Sequence, residues 1–380
     1  MKHIYLDHAA ATPLDPEVYE AMKPYFSEQF YNPSATYNAA RATRKTLDEA
    51  RHRVAGVLGA RPGEIVFTAG ATEANNLAIH GVISKFPGSK ILVSAIEHDS
   101  VLKAAKQHKH TILSVDPKGR VDLAKLKSEL QDDTVVLVSI MYANNEIGTV
   151  QDMRAVGKVV EEAKKSRSSR GVSLPLYLHT DAAQAPNCLP IQPKRMHVDL
   201  MSLNGGKIYG PKQSGVLFVA SGTQLSPIIF GGGQEYGLRS GTENVPGIVG
   251  FSLALEKAAR LRPAETLRLA ELKTLLCKEL LAASPDVQLT VAEDALHNLI
   301  HITVAGRDNE RLMMELDERG IECAVGSACS ASNEEPSHVL RAIGMTDAQA
   351  QTSLRFTMGR STTQADVKKV GKMMKEILHG

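Results

Sequence analysis

The sequence predicts an α/β protein with a mainly parallel sheet in a large domain, followed by a smaller α+β domain. Three observations carry this. Between Ile65 and Val219, short apolar runs alternate with helix-length segments. The runs are apolar almost throughout, as strands covered on both faces must be. After Phe230 the alternation breaks, and a chain of 380 residues is long enough for two domains.

The elements follow in order. Ile65–Thr68 reads as a strand and Thr72–Ser84 as the helix it feeds through Gly70-Ala71-Thr72. Lys90–Ser94 and Thr134–Ile140 are β-branched strand candidates, with helices at Asp99–Gln107 and Met153–Lys165. Leu174–Thr180, Val198–Ser202 and Gly215–Val219 continue the strand series. Lys164–Ser173 is basic and serine-rich and reads as a solvated loop. Beyond the glycine-rich loop Gly231–Gly237, a helix is expected over Val245–Arg260, with Pro246 in its first turn. The smaller domain is expected to hold a helix (Ala264–Ala283), a strand (Leu299–Val304), a helix (Asn309–Arg319), a strand (Ser353–Thr357) and a last helix (Gln364–Leu378).

Composition excludes several function classes. A formal net charge of +2 gives no field for a polyanion, so nucleic-acid binding is not expected. No apolar run is long enough for a bilayer, so no membrane partner is expected. The first residues lack the apolar segment of a secretory signal. The cysteines, Cys188, Cys277, Cys323 and Cys329, form no Cys-x-x-Cys pair, which suits a reducing cytoplasm. Cys188, Cys277 and Cys323 lie in apolar patterns and read as core thiols. Cys329 lies in Gly326-Ser327-Ala328-Cys329-Ser330-Ala331-Ser332, where small residues suggest an accessible nucleophile.

In such sheets ligands gather outside the carboxyl ends of the strands. Asp181 ends one strand, and Lys207 sits on the loop Asn204-Gly205-Gly206-Lys207 between two apolar runs. An amine and a carboxylate so placed are what pyridoxal 5'-phosphate needs. The amine forms a Schiff base with its aldehyde, and the carboxylate keeps the ring nitrogen protonated as an electron sink. Gly70-Ala71-Thr72 opens a helix and suits a phosphate. His98, past a strand end, suits ring stacking and proton transfer. Gln184 can donate to the ring's phenolate oxygen. Arg355, in an alternating strand, suits a bidentate grip on a carboxylate. Each also has a plain structural reading: a capped turn at Thr72, a histidine beside a cap at His98, an N-cap at Asp181, a turn at Asn144-Asn145, a surface arginine at Arg355.

Taken in order, these segments resemble the cysteine desulfurases of the class V aminotransferase family, in the housekeeping and nitrogen-fixation branch. The matching stretches include Tyr5–Pro13, Asn32-Pro33-Ser34, Gly70–Glu73, Glu97-His98, Asn144–Gly148, Asp181–Gln184, Lys207–Lys212, Arg239–Thr242, Gly326–Cys329 and Arg355–Gly359. They cover almost the whole chain. The resemblance implies a fold type I pyridoxal phosphate enzyme, with a large domain over 13–257 and a small one over 1–12 and 258–380. It implies Lys207 as the Schiff-base lysine, Asp181 as the pyridinium partner, Gln184 as the phenolate partner and His98 as the stacking histidine. Ala71 and Thr72 match phosphate ligands, and Asn204 stands where a further hydrogen bond to the phosphate is expected. Thr242 matches a residue that reaches the other subunit's cofactor, which implies a homodimer. Asn145 and Arg355 match the clamp on the substrate carboxylate, and Cys329 the persulfide carrier. The implied substrate is L-cysteine. The implied protein partner is a sulfur acceptor, an iron–sulfur scaffold or a sulfur carrier. Two departures stand out. The family reads Ser-x-His-Lys where this chain has Asn204-Gly205-Gly206-Lys207, and Tyr236 stands where an arginine is usual. The competing readings are selenocysteine lysis or another class V reaction and, outside enzymes, a degenerate scaffold subunit.

Overall fold

The computed structural model describes residues 3–290, 294–326 and 336–379. In chain order its strands are β1 (Ile4–Tyr5), β2 (Ile65–Thr68), β3 (Lys90–Ser94), β4 (His110–Leu113), β5 (Val135–Ser139), β6 (Tyr177–Asp181), β7 (Leu200–Asn204) and β8 (Gly215–Val219). They are followed by β9 (Val287–Leu289), β10 (Leu299–Val304), β11 (Ile321–Glu322) and β12 (Ser353–Thr357). Seven of them form the main sheet in the order β2-β8-β7-β6-β5-β3-β4.

The sheet is parallel from β7 through β6, β5 and β3 to β4, whereas β8 runs antiparallel to both β7 and β2. The central strands are buried along their whole length. One layer of core packs Phe67, Leu92, Val138 and Leu178 against the helix Asn38–Leu58 and the start of the helix Val245–Leu281. The opposite layer packs Val66, Ile91 and Leu137 against the helices Ala71–Lys85 and Asp99–Ala105. A separate core joins β10 and β12 to Leu269, Leu272 and Leu276 and to the C-terminal helix Gln364–His379. This second core carries the three-stranded sheet β12-β10-β9.

The structure corrects the element reading in three places. The helices expected over Val245–Arg260 and Ala264–Ala283 form one helix, Val245–Leu281, with Pro263 inside it. Proline removes one intrahelical donor there, but each half buries an apolar face against its own core, and that packing outweighs the missing bond. The basic stretch Lys164–Ser173 is helical as far as Ser169. Two of its cations, Lys164 and Arg167, are fixed rather than solvated. Lys164 pairs with Asp199 at 2.9 Å, and the buried Arg167 guanidinium donates to the carbonyls of Val135 at 2.6 Å and Asp132 at 2.7 Å. Finally, β4 and the helix Asn38–Leu58 were not foreseen. The helix stops at Gly59, whose φ of +62° is the left-handed conformation that favours glycine at a helix end.

Candidate active site

The site lies at the carboxyl ends of β6 and β7. Asp181 closes β6 and is buried. One carboxylate oxygen accepts the Asn75 side-chain N–H at 2.7 Å, and the other accepts the Ala183 backbone N–H at 2.9 Å. Asn75 also donates to the Ser100 hydroxyl at 2.9 Å, which ties the helix Ala71–Lys85 to the turn carrying His98. Below Asp181 on the same strand, the His179 ring is wedged between the hydroxyls of Ser139 (2.8 Å) and Ser202 (3.0 Å). Burial pushes its pKa down to about 4, so it is a neutral strut beneath the carboxylate.

Lys207 ends the short turn Gly205–Lys207 that follows β7. The turn needs glycine at 205, because a Cβ there would sit 2.1 Å from the Ser214 hydroxyl and 2.8 Å from the Pro211 carbonyl. The Lys207 amine donates to the Ala10 carbonyl at 2.5 Å, and its own carbonyl accepts the Asn187 amide at 2.7 Å. Ala10 belongs to the segment 7–12, which runs between the lysine loop and β12. The hydroxyl and backbone N–H of Thr12 both donate to the Gly206 carbonyl at 3.1 Å, and the Thr12 hydroxyl accepts the Tyr209 N–H at 2.8 Å. At its other end, His8 Nδ1 meets the Thr357 carbonyl at 2.9 Å and the Ala9 N–H donates to the Thr357 hydroxyl at 2.9 Å.

His98 caps the helix Asp99–Ala105, with its Nδ1 accepting the Ser100 N–H at 3.1 Å. That bond assigns the ring proton to Nε2. Beside it, Glu97 is fully buried and held well above the usual carboxylate range by burial, with the Met141 N–H at 2.6 Å on one oxygen. Arg355 is buried on β12. Its Nη1 donates to the Asn145 carbonyl at 2.9 Å and its Nη2 to Asp7 at 2.6 Å. Gln184 donates to the Ala9 carbonyl at 3.0 Å, and the Asn204 side-chain oxygen accepts the Gly206 N–H at 3.3 Å.

Ala71, Thr72, His98, Asn145, Asp181, Gln184, Asn204, Lys207 and Arg355 all border one cavity of ≈ 220 Å³. Thr242 does not. It is exposed on the rim of a second cavity of ≈ 190 Å³ that also reaches Thr68, Arg239 and Glu243. Cys329, the expected nucleophile, lies outside the described residues. Burial pushes the thiols of Cys188 and Cys323 up to about 12 and raises that of Cys277, so all three stay protonated. Sequence reasoning missed Asn75 and Ser100, which orient Asp181 and His98, and the hydrogen bonds made by Thr12. Each is an ordinary polar residue, and the bonds of Asn75 and Thr12 reach partners distant in the chain.

This geometry defines a class. An amine, a buried carboxylate, a helix N-terminus and a buried arginine face one cavity at the carboxyl ends of a mainly parallel sheet, as in fold type I enzymes. Residues 4–370 match the model of the class-V aminotransferase family, and the chain belongs to that family. It is 41% identical to the cysteine desulfurase IscS of Dictyoglomus turgidum, over 96% of this chain and 92% of that protein. It is 40% identical to the putative cysteine desulfurase IscS 1 of Bacillus subtilis, over 100% of this chain and 99% of that one. In structure it matches a NifS-like protein with a TM-score of 0.91 at 31% identity, over 100% of both chains.

Proposed function

We propose that this chain is a pyridoxal 5'-phosphate-dependent cysteine desulfurase. It converts L-cysteine to L-alanine and moves the sulfur to Cys329 for delivery to an acceptor. The observation that carries the reading is the convergence of Lys207, Asp181 and Arg355 on one cavity.

The residues fit the cofactor. Asp181 is held by two neutral donors and suits a protonated ring nitrogen. His98 suits one face of the ring and Gln184 the phenolate oxygen. The first turn of the helix Ala71–Lys85, with Thr72 and Asn204 beside it, suits the phosphate. When bound, pyridoxal phosphate supplies the electron sink for breaking a Cα–H bond. Arg355 and Asn145 hold the substrate carboxylate. The Lys207 amine takes the Cα proton, with His98 as a second proton carrier. The Cys329 thiolate attacks the substrate sulfur. An S–S bond forms, the substrate Cβ–S bond breaks, and the electron pair left on Cβ takes up a proton. L-cysteine and Cys329–SH thus become L-alanine and Cys329–S–SH.

The working form is a homodimer, in which Thr242 enters the partner's site. Its exposure away from its own cavity supports this, as do the nearby exposed rings of Phe230 and Tyr236. The acceptor is an iron–sulfur scaffold or sulfur-carrier protein, and the compartment is the cytoplasm. Among the described residues no helix is long and apolar enough to cross a membrane. We divide the chain at 13–257 and at 1–12 with 258–380, following the two cores.

The test is incubation with L-cysteine and a reductant, with alanine, sulfide and pyruvate quantified together. Alanine and sulfide in equal amounts are expected, and in a parallel sample without reductant the added sulfur is found by mass spectrometry on the Cys329 peptide. Pyruvate without alanine would refute the reading. Turnover of L-selenocysteine but not of L-cysteine would move the assignment to a lyase.

A further inference from the structure

Arg355 uses Nη1 and Nη2 on Asn145 and Asp7, but its Nε–H has no hydrogen-bond partner among the described residues. β12 runs antiparallel to β10, and the residue directly opposite Arg355 is His301. Directly opposed residues project from the same face, with Cβ atoms roughly 4.5–5.5 Å apart. Both side chains are sealed from solvent, His301 at 0% exposure and Arg355 at 1%. The Thr290 hydroxyl donates to the His301 carbonyl at 3.0 Å. With its proton there the hydroxyl oxygen can accept from His301 Nδ1–H, the tautomer that leaves an Nε2 lone pair rather than a second N–H in the field of the Arg355 cation. Nε2 is left as a lone-pair acceptor, and it too has no partner among the described residues. Burial, reinforced by the Arg355 charge, pushes His301 down to about 3, which keeps that lone pair available. An orphaned donor and an orphaned acceptor therefore belong to directly opposed residues of neighbouring strands, in a region where neither can turn to bulk water.

We propose that His301 is a positioning residue for substrate binding: its Nε2 is linked to the Arg355 Nε–H through one bridging water, and so fixes the guanidinium plane. Each Nη already gives one N–H to the protein. With Nε also held, swinging of the planar guanidinium about the Cδ–Nε bond is restrained, and the second N–H of each Nη remains for the substrate carboxylate. The inference rests on the reading of Arg355 as the carboxylate clamp.

The test compares His301→Leu, His301→Gln and Arg355→Gln in the cofactor-loaded enzyme. The readouts are KM and kcat for L-cysteine and, apart from turnover, the Kd of L-alanine by calorimetry. His301→Leu is expected to raise KM and the L-alanine Kd by about tenfold, the scale of one charge-assisted hydrogen bond, with kcat changed less than about twofold. His301→Gln, which places an amide oxygen near the Nε2 position, is expected to recover most of the loss. Arg355→Gln is expected to raise both constants by about a hundredfold or more. If Arg355→Gln does so and His301→Leu changes neither constant, the His301 inference fails and the clamp stands. If Arg355→Gln changes neither, the clamp itself fails. Should His301→Leu not fold, nitrogen NMR of the unaltered protein decides. A neutral ring protonated on Nδ1 supports the inference, and one protonated on Nε2 overturns it.

Discussion

Replacing Thr12 by valine keeps the shape of a side chain that is 2% exposed and removes only its hydroxyl. Two hydrogen bonds go with it, the donation to the Gly206 carbonyl and the acceptance from the Tyr209 N–H. The losses are unequal. The Gly206 carbonyl keeps the Thr12 backbone N–H at 3.1 Å, so it stays partnered. The Tyr209 N–H is buried and has no substitute acceptor within the loop. Losing one net hydrogen bond costs about 1 kcal/mol, and a stranded buried donor costs about 1–3 kcal/mol. The expected loss is therefore about 2–4 kcal/mol, most of it from the stranded donor. Urea denaturation of the variant reads this as a lower midpoint with an unchanged slope. Thr12→Ser is the control, since it keeps the hydroxyl and should lose less than about 1 kcal/mol. Because the same bonds seat the lysine loop, Thr12→Val should also bind pyridoxal phosphate more weakly. If valine is tolerated as well as serine, segment 7–12 does not hold the loop and the reasoning fails.

Asp181→Asn should keep the cavity shape but remove the charge that favours a protonated ring nitrogen, so alanine formation should fall by about a hundredfold or more; undiminished turnover would exclude Asp181 from that role. An ideal Cβ at Gly206 comes no nearer than 3.8 Å to the side chains of Asn204 and Lys212, so the position accepts a Cβ, and Gly206→His joined to Asn204→Ser should tighten pyridoxal phosphate binding by about tenfold or more in a spectroscopic titration. Equal affinity in that double variant would mean the phosphate is already fully partnered. His179 is held neutral, with a folded pKa of about 4 against an unfolded value of 6.5. The unfolded chain therefore binds the extra proton first, and stability falls as pH drops from about 6.5 towards 4, by roughly 3 kcal/mol at the low end. His179→Gln should flatten that part of the thermal-stability profile, and an unchanged slope would rule His179 out as its source.

Much of the fold is legible because apolar strands announce themselves. β2, β3, β8, β10 and β12 occupy the residues the sequence indicates. β4 escapes because His110–Leu113 buries only its last residue and its apolar run, Ile112-Leu113, is two residues long. The helix Val245–Leu281 escapes as a unit because Pro263 is a local stop signal that only tertiary packing overrides. Lys207 and Asp181 are visible as polar residues at the ends of apolar runs. The partners that orient them are not. Asn75 lies 106 residues from Asp181 and Thr12 lies 194 from Gly206, and nothing local marks either pair.

The segment 7–12 has a consequence for how the molecule is made. It leaves the ribosome before the groups that hold it: the carbonyl it holds at Gly206 follows 194 positions later and the anchor of His8 at Thr357 follows 349 positions later. At about 5–20 residues per second, that second delay is roughly 20–70 s of synthesis. Until then the acceptor for the Lys207 amine is tethered at one end only. The main sheet can close from neighbouring strands well before this. The reactive centre is thus assembled after the scaffold, by contacts of very long sequence separation, and a nascent chain stalled before β12 would carry the lysine without the complete clamp that positions it.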